Sequence, residues 1–182
     1  IVEPSTAYDA KGLIKAAVRD DDPVLFLEHK FLYRRVKDEV PDADYVVPIG
    51  QAVVRRPGDD VTVVTFGAMT YTALEAAEQL AQRDVEVEVI DLRTLSPLDH
   101  ETVLKSLAKT NKIVVLHEAQ RTGGIGAEIA AAITERGFEH LDAPPVRLAS
   151  LDTPVPYNPA LEAAFRPGVE QIVAAVGQLV EY

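Results

Sequence analysis

Short apolar runs alternate along this chain with longer stretches whose apolar residues recur at three- and four-residue spacing. Val61 to Phe66, Val85 to Ile90, Ile113 to Leu116 and Val146 to Leu151 are the runs, and they predict strands. Between them, Leu74, Ala77, Leu80 and Ala81, then Val103, Leu104, Leu107 and Ala108, then Ile125, Ile129, Ala132 and Ile133 mark three helices with one buried face. Val169, Ile172, Val173, Val176, Leu179 and Val180 give a strongly amphipathic last helix. Strands separated by helices imply right-handed crossovers and a mostly parallel sheet with helices on both faces, so the fold class is α/β.

Local signals add boundaries. Thr6 with Asp9 three residues on resembles a capping box before a helix carrying Leu13, Ile14 and Ala17. Asp20-Asp21-Asp22-Pro23 ends that helix, since proline disfavours helix in the residue before it. Val24 to Leu27 then reads as a strand buried on both faces. Residues 33–60 carry charges, Pro41, Pro48 and Pro57 instead of a period, with a short edge strand expected at Ala52-Val53-Val54. Thr72 with Glu75 reads as a second capping box, and Ser96-Pro97 as N-cap and first helical residue of the next helix. The division expected is residues 1–40 as the end of one α/β domain, 41–47 as linker and 48–182 as a second domain. The opening Ile1-Val2, with no initiator Met, suggests a fragment or processed piece that begins mid-strand.

Composition narrows the function classes. The chain has 182 residues, 47% hydrophobic and 26% charged, and can bury a core without staples. The absence of cysteine removes disulfides, thiolate metal sites and Cys nucleophiles. A formal net charge of −11 repels phosphate backbones and makes nucleic acid an unfavourable partner. No apolar run approaches a membrane span, so no membrane association is expected.

Candidate chemistry is sparse. Thr122-Gly123-Gly124-Ile125-Gly126 follows a strand and opens a helix, the setting that cradles phosphate, but the dinucleotide fingerprint is incomplete because Ile129 stands at its third glycine. The preferred reading is close packing of helix on sheet. His117-Glu118 lies at the C-terminal end of a strand, where ligands of open sheets bind. Adjacent strand residues face opposite ways, so the two need not cooperate, and a satisfied, partly buried His117 is preferred. Asp20, Asp21 and Asp22 read as a solvated turn with cation binding as the alternative. His29, Arg34 and Arg35 could meet an anion but more often form surface ion pairs. His100 and His140 have no identifiable partner. Spacing alone leaves the chemistry undetermined.

The motifs together go further. Pro4 to Leu13, Asp22-Pro23-Val24-Leu25-Phe26-Leu27-Glu28-His29-Lys30 with Leu32-Tyr33-Arg34, and Pro48-Ile49-Gly50-Gln51-Ala52 resemble beta subunits of thiamine-diphosphate-dependent 2-oxo acid dehydrogenases. So do Asp91 to Asp99, His117-Glu118-Ala119, Leu141-Asp142-Ala143-Pro144-Pro145 and Asp152 to Tyr157. Pyruvate, branched-chain 2-oxo acid and acetoin enzymes share these motifs, so the substrate stays open.

The resemblance implies the tail of a pyrimidine-binding domain followed by a transketolase-type C-terminal domain. It also implies an alpha2-beta2 heterotetramer, made with an alpha subunit and a second beta subunit, with thiamine diphosphate and magnesium at alpha–beta interfaces. Oxidative decarboxylation would pass an acyl group to lipoamide on a dihydrolipoyl acyltransferase. The half that holds the activating glutamate is missing, so no catalytic and no cofactor-binding residue is assigned to this chain, and alone it is expected to be inactive.

Two sites carry over by resemblance. A potassium ion would be held by backbone oxygens at Ala17, Asp20 and Asp22, and the basic subunit-binding domain of the acyltransferase would dock on Asp142 and the terminal carboxylate of Tyr182. Bacterial cytoplasm is the expected location, or the mitochondrial matrix in a eukaryote. A stand-alone dimerisation module, a C-terminal domain of transketolase or deoxyxylulose-phosphate synthase, and an aminotransfer or dinucleotide-binding domain are the alternatives.

Overall fold

A computed structural model describes residues 1–182. Five strands form one sheet in the order β1-β3-β2-β4-β5: β1 (Val53–Arg56), β2 (Val61–Thr65), β3 (Val87–Asp91), β4 (Ile113–Gln120) and β5 (Val146–Ser150). The pairs β2–β3, β2–β4 and β4–β5 are parallel, and only the edge strand β1 runs antiparallel, against β3. The mostly parallel sheet and the short edge strand agree with the sequence reading.

Side-chain alternation along each strand feeds two cores. On one face, Val61 and Val63 of β2 and Val114 and Leu116 of β4 pack against α2 (Met69–Ala81) and α6 (Val169–Val180). On the other, Val64, Ile90, Ile113 and Val115 meet α3 (His100–Thr110) and α4 (Gly126–Gly137). No helix is long and apolar enough to cross a membrane.

The upstream residues fold onto this sheet. The helix α1 (Ala7–Arg19) is capped by Thr6, whose hydroxyl accepts from the Asp9 N–H at 3.1 Å, as the sequence implied. Val2, Leu13 and Val47 form a small third core with Phe26 and Ile49. Beneath α1, Asp9 and Asp91 share the guanidinium of Arg55, and Arg93 Nη1 donates to Asp9 at 3.0 Å. Four charges are thus neutralised at the seam between α1 and the β1–β3 edge.

Several local expectations are corrected. Thr72 and Glu75 do not cap a helix; they lie inside α2, which begins at Met69 because Gly67 (φ +57°) turns the chain earlier. Ser96 and Pro97 precede α3 rather than starting it. Asp99 is the cap, accepting from the Thr102 N–H at 3.0 Å, while Leu95 is tied back to the Ile1 carbonyl. Val24 to Leu27 is not buried on both faces. It pairs only with Val2, and Leu25 and Leu27 are exposed. A short helix, α5 (Pro159–Phe165), was not expected, although Asn158-Pro159 carries the signal of an N-cap followed by proline at the first turn.

Candidate functional site

Ligands of open parallel sheets bind beyond the C-terminal ends of the strands, and three titratable side chains converge at that edge here. The β4 strand presents Glu118 on the α2/α6 side. The segment entering beside β3 brings Glu3, held by its N–H to the Arg93 carbonyl at 2.9 Å. The stretch before the 3₁₀ turn Lys30–Arg34 brings His29. His29 Nε2 lies 3.0 Å from Glu118 Oε2. Glu3, His29 and Glu118 line a hollow of about 290 Å³ whose apolar walls include Phe66, Met69 and Phe165.

The electrostatics follow from this geometry. The hydrogen bond to Glu118 raises the His29 pKa above that of a free imidazole, and the same bond lowers Glu118. Burial raises Glu3, partly offset by the charge on His29. Its carboxylate lies against Gly67, where any side chain would collide with it. Alongside, Arg35 stacks over the Phe31 ring with Cζ 3.9 Å from the centroid, and Arg166 approaches the same ring at 5.5 Å. His29 is therefore a cross-chain partner of Glu118 rather than a surface cation. Arg35 meets an aromatic ring rather than an acid. Sequence reasoning missed the Glu3–His29–Glu118 group because the three residues come from separate parts of the chain.

His117 and Glu118 do face opposite ways. His117 is fully buried on the α4 side, stacked on Phe66 at 6.3 Å between centroids, and burial lowers its pKa. A side chain at Gly124 or Gly126 would strike its ring. The glycine loop is therefore filled from below by imidazole. It brings helix onto sheet and does not fit a diphosphate. His117 is not satisfied as expected, since neither ring nitrogen has a hydrogen-bond partner.

The residues taken from resemblance lie elsewhere. Ala17 is in the last turn of α1, Asp20 is its C-cap, and the Asp22 N–H donates to Asp20 Oδ1 at 3.0 Å. The carbonyls of a final helical turn lack intrahelical partners, and such an oxygen-rich set fits a hard cation. Asp142 is exposed just before β5, with its N–H on the Asn111 carbonyl at 2.9 Å. Tyr182 is exposed beyond α6. That helix starts near the C-terminal ends of the strands and runs back across the sheet, so Asp142 and Tyr182 share the edge where strands begin. His100 opens α3, and the His140 carbonyl accepts from Asn111 Nδ2 at 3.0 Å.

Comparison with known proteins agrees with this architecture. Residues 50–172 match the family described as transketolase, C-terminal domain. The beta subunit of 2-oxoisovalerate dehydrogenase from Bacillus subtilis is 50% identical over all of this chain and 56% of that protein. The pyruvate dehydrogenase E1 component beta subunit of Cyanidium caldarium is 47% identical over all of this chain and 55% of its own length. The beta subunit of an acetoin:2,6-dichlorophenolindophenol oxidoreductase from B. subtilis is 45% identical over 98% of the chain and 52% of that protein. Among solved structures, a split-gene transketolase described as an inactive beta4 tetramer superposes with a TM-score of 0.81 at 28% identity. It covers 99% of this chain and 57% of that one. The chain thus spans slightly more than half the length of the curated relatives it matches, and the similarity runs through residues 1–49 as well as the sheet domain. With the family match extending from before β1 into α6, this chain belongs to the transketolase C-terminal domain family.

Proposed function

We propose that the chain is the C-terminal part of a beta subunit of a thiamine-diphosphate-dependent 2-oxo acid dehydrogenase. The observation that carries this reading is the 50% identity over the whole chain, including the upstream residues that α1 and the Asp9–Arg93 contact fasten to the sheet. Residues 1–40 then form the end of the pyrimidine-binding domain and 48–182 the assembly domain. The bound cofactor would supply the electron sink for decarboxylation. This chain's glycine loop, packed against the His117 ring, would serve helix–sheet packing rather than the cofactor.

In this reading the alpha subunit and the remainder of the beta subunit complete the active site at alpha–beta interfaces. The oxygens at Ala17, Asp20 and Asp22 would hold potassium. The exposed Asp142 and Tyr182 would receive the basic acyltransferase domain, consistent with the net charge of −11. The test is to express the full-length polypeptide with its alpha partner and measure decarboxylation of pyruvate and 2-oxoisovalerate. Turnover of either, with an intact mass near twice 19.8 kDa in the source cells, is the expected result. No turnover in the assembled pair overturns the reading.

A second reading, a self-assembling module without catalysis, is favoured by the exposed Leu151, Val155, Tyr157 and Leu161. The superposed neighbour, described as an inactive tetramer, points the same way. A native mass of 19.8 kDa, with homo-oligomers in solution, would support it.

A further inference from the structure

His117 is a fully buried titratable side chain that the candidate site leaves unused. Its ring is closed to solvent, and neither nitrogen makes a hydrogen bond. The Nε2 edge points at the glycine loop, because a side chain added at either Gly124 or Gly126 would strike that atom. Phe66 stacks on the ring from just beyond β2, and the charge that faces it is Arg147 of β5, of the same sign as an imidazolium. The Ala119 backbone favours a ring proton but stands outside hydrogen-bonding geometry. A proton arriving here finds neither an acceptor nor a counter-ion, a state that burial disfavours.

The loop is the side of this cage that can yield. Phe66 and Val115 belong to the packed core on that face of the sheet, whereas Arg121, Thr122 and Gly123 are exposed. Thr122 is fastened to Asp152 through its N–H at 2.9 Å and its hydroxyl at 2.8 Å. The Arg121 N–H donates to the Ser150 carbonyl at 3.1 Å, and Arg147 Nη1 donates to the Arg121 carbonyl at 3.3 Å. Bonds this close to solvent open at lower free energy than core strands do. Gly123, at φ +75°, has open space around it, so the loop has room to move outward.

We infer that Arg121–Ile125 is an acid-opened flap: a proton on His117 Nε2 is accommodated by lifting the glycines off the ring, and the neutral ring lets the flap close. In the open form the ring meets water and titrates near about 6.5, above its value in the closed form. Opening therefore takes up a proton below that pH, and the closed form is favoured above it. Asp152 is held below the usual carboxylate range by its bonds to Thr122, so the fastening keeps its charge while His117 titrates. Arg121 and Arg147, the other charges at the flap, do not titrate near neutral pH.

Amide hydrogen exchange of the full-length polypeptide tests this, with rates corrected for their intrinsic dependence on pH. Protection of residues 121–127, which includes the bonded amides of Arg121 and Ala127, should fall about tenfold between roughly pH 7.5 and 5.5. That is the change expected when opening takes up one proton. Strand β2 should keep its protection over the same range, because the opening is local. His117→Val, apolar and smaller, should make loop protection independent of pH, whatever its level. Flat loop protection in the unaltered protein overturns the inference, and this outcome needs no variant. A fall shared equally by β2, or one that persists in folded His117→Val, overturns it as well. The measurement uses no substrate, so it can fail while 2-oxo acid turnover is found, or hold while turnover is absent.

Discussion

Arg93 reaches from the end of β3 to Asp9 in α1, placing its Nη1 3.0 Å from a carboxylate that has no exposed surface. The contact joins residues 84 apart and holds the upstream segment on the sheet domain. Arg93 also donates to the Gln51 carbonyl at 3.0 Å, so the backbone leading into β1 hangs on the same side chain.

Removing the charge at Asp9 should therefore be costly. Asp9→Asn leaves Arg93 without an acidic partner and Arg55 with Asp91 alone. Breaking a buried pair by removing one partner typically costs about 3–5 kcal/mol. Urea unfolding should show a loss in that range, and a loss below about 1 kcal/mol would mean that the seam is not held by these charges.

Gly67 has φ +57° and lies against the Glu3 carboxylate. Gly67→Ala should cost about 1–2 kcal/mol from left-handed backbone alone. Displacement of Glu3 adds to that, so Glu3→Ala should relieve part of the loss. Equal losses in both backgrounds would show that backbone strain acts by itself.

Gly126 touches the buried His117 ring, so Gly126→Ala overpacks the α4–β4 contact. The expected cost is about 1–3 kcal/mol. His117→Val shortens the obstructing side chain, and the double variant should be more stable than the sum of the two single losses predicts. Strict additivity would place the strain elsewhere.

Stability against pH should carry two histidine contributions of opposite sign. His29 is raised by Glu118, so its stabilisation is complete below about 6.5 and is lost as pH rises through its higher folded value. Glu118 is lowered, so its share is present above about 4.3 and is lost as pH falls through its folded value. His117 is lowered by burial, so the unfolded chain binds its proton first and stability falls as pH drops below about 6.5. His29→Asn should abolish the decline on the alkaline side and leave the His117 decline in place. Unfolding midpoints from pH 4 to pH 9 would show this (roughly the span over which the three groups titrate). An alkaline decline that survives in His29→Asn would assign it to another group.

The sequence by itself determined the α/β class, the parallel core strands, the edge strand at β1, the Thr6 cap and the amphipathic α6. Hydrophobic period and capping chemistry are local, so a window of a dozen residues contains the information. It also carried the family, because Asp91 to Asp99 and Asp152 to Tyr157 are legible as strings. Helix starts at Thr72 and Ser96 were misread, because Gly67 and the tie from Leu95 to Ile1 decide where the backbone can turn. Only the tertiary structure brought His29 to Glu118, set Glu3 against Gly67, and filled the glycine loop with His117. Those pairings depend on which strands lie side by side, and the strand order β1-β3-β2-β4-β5 is a property of the whole chain rather than of any segment.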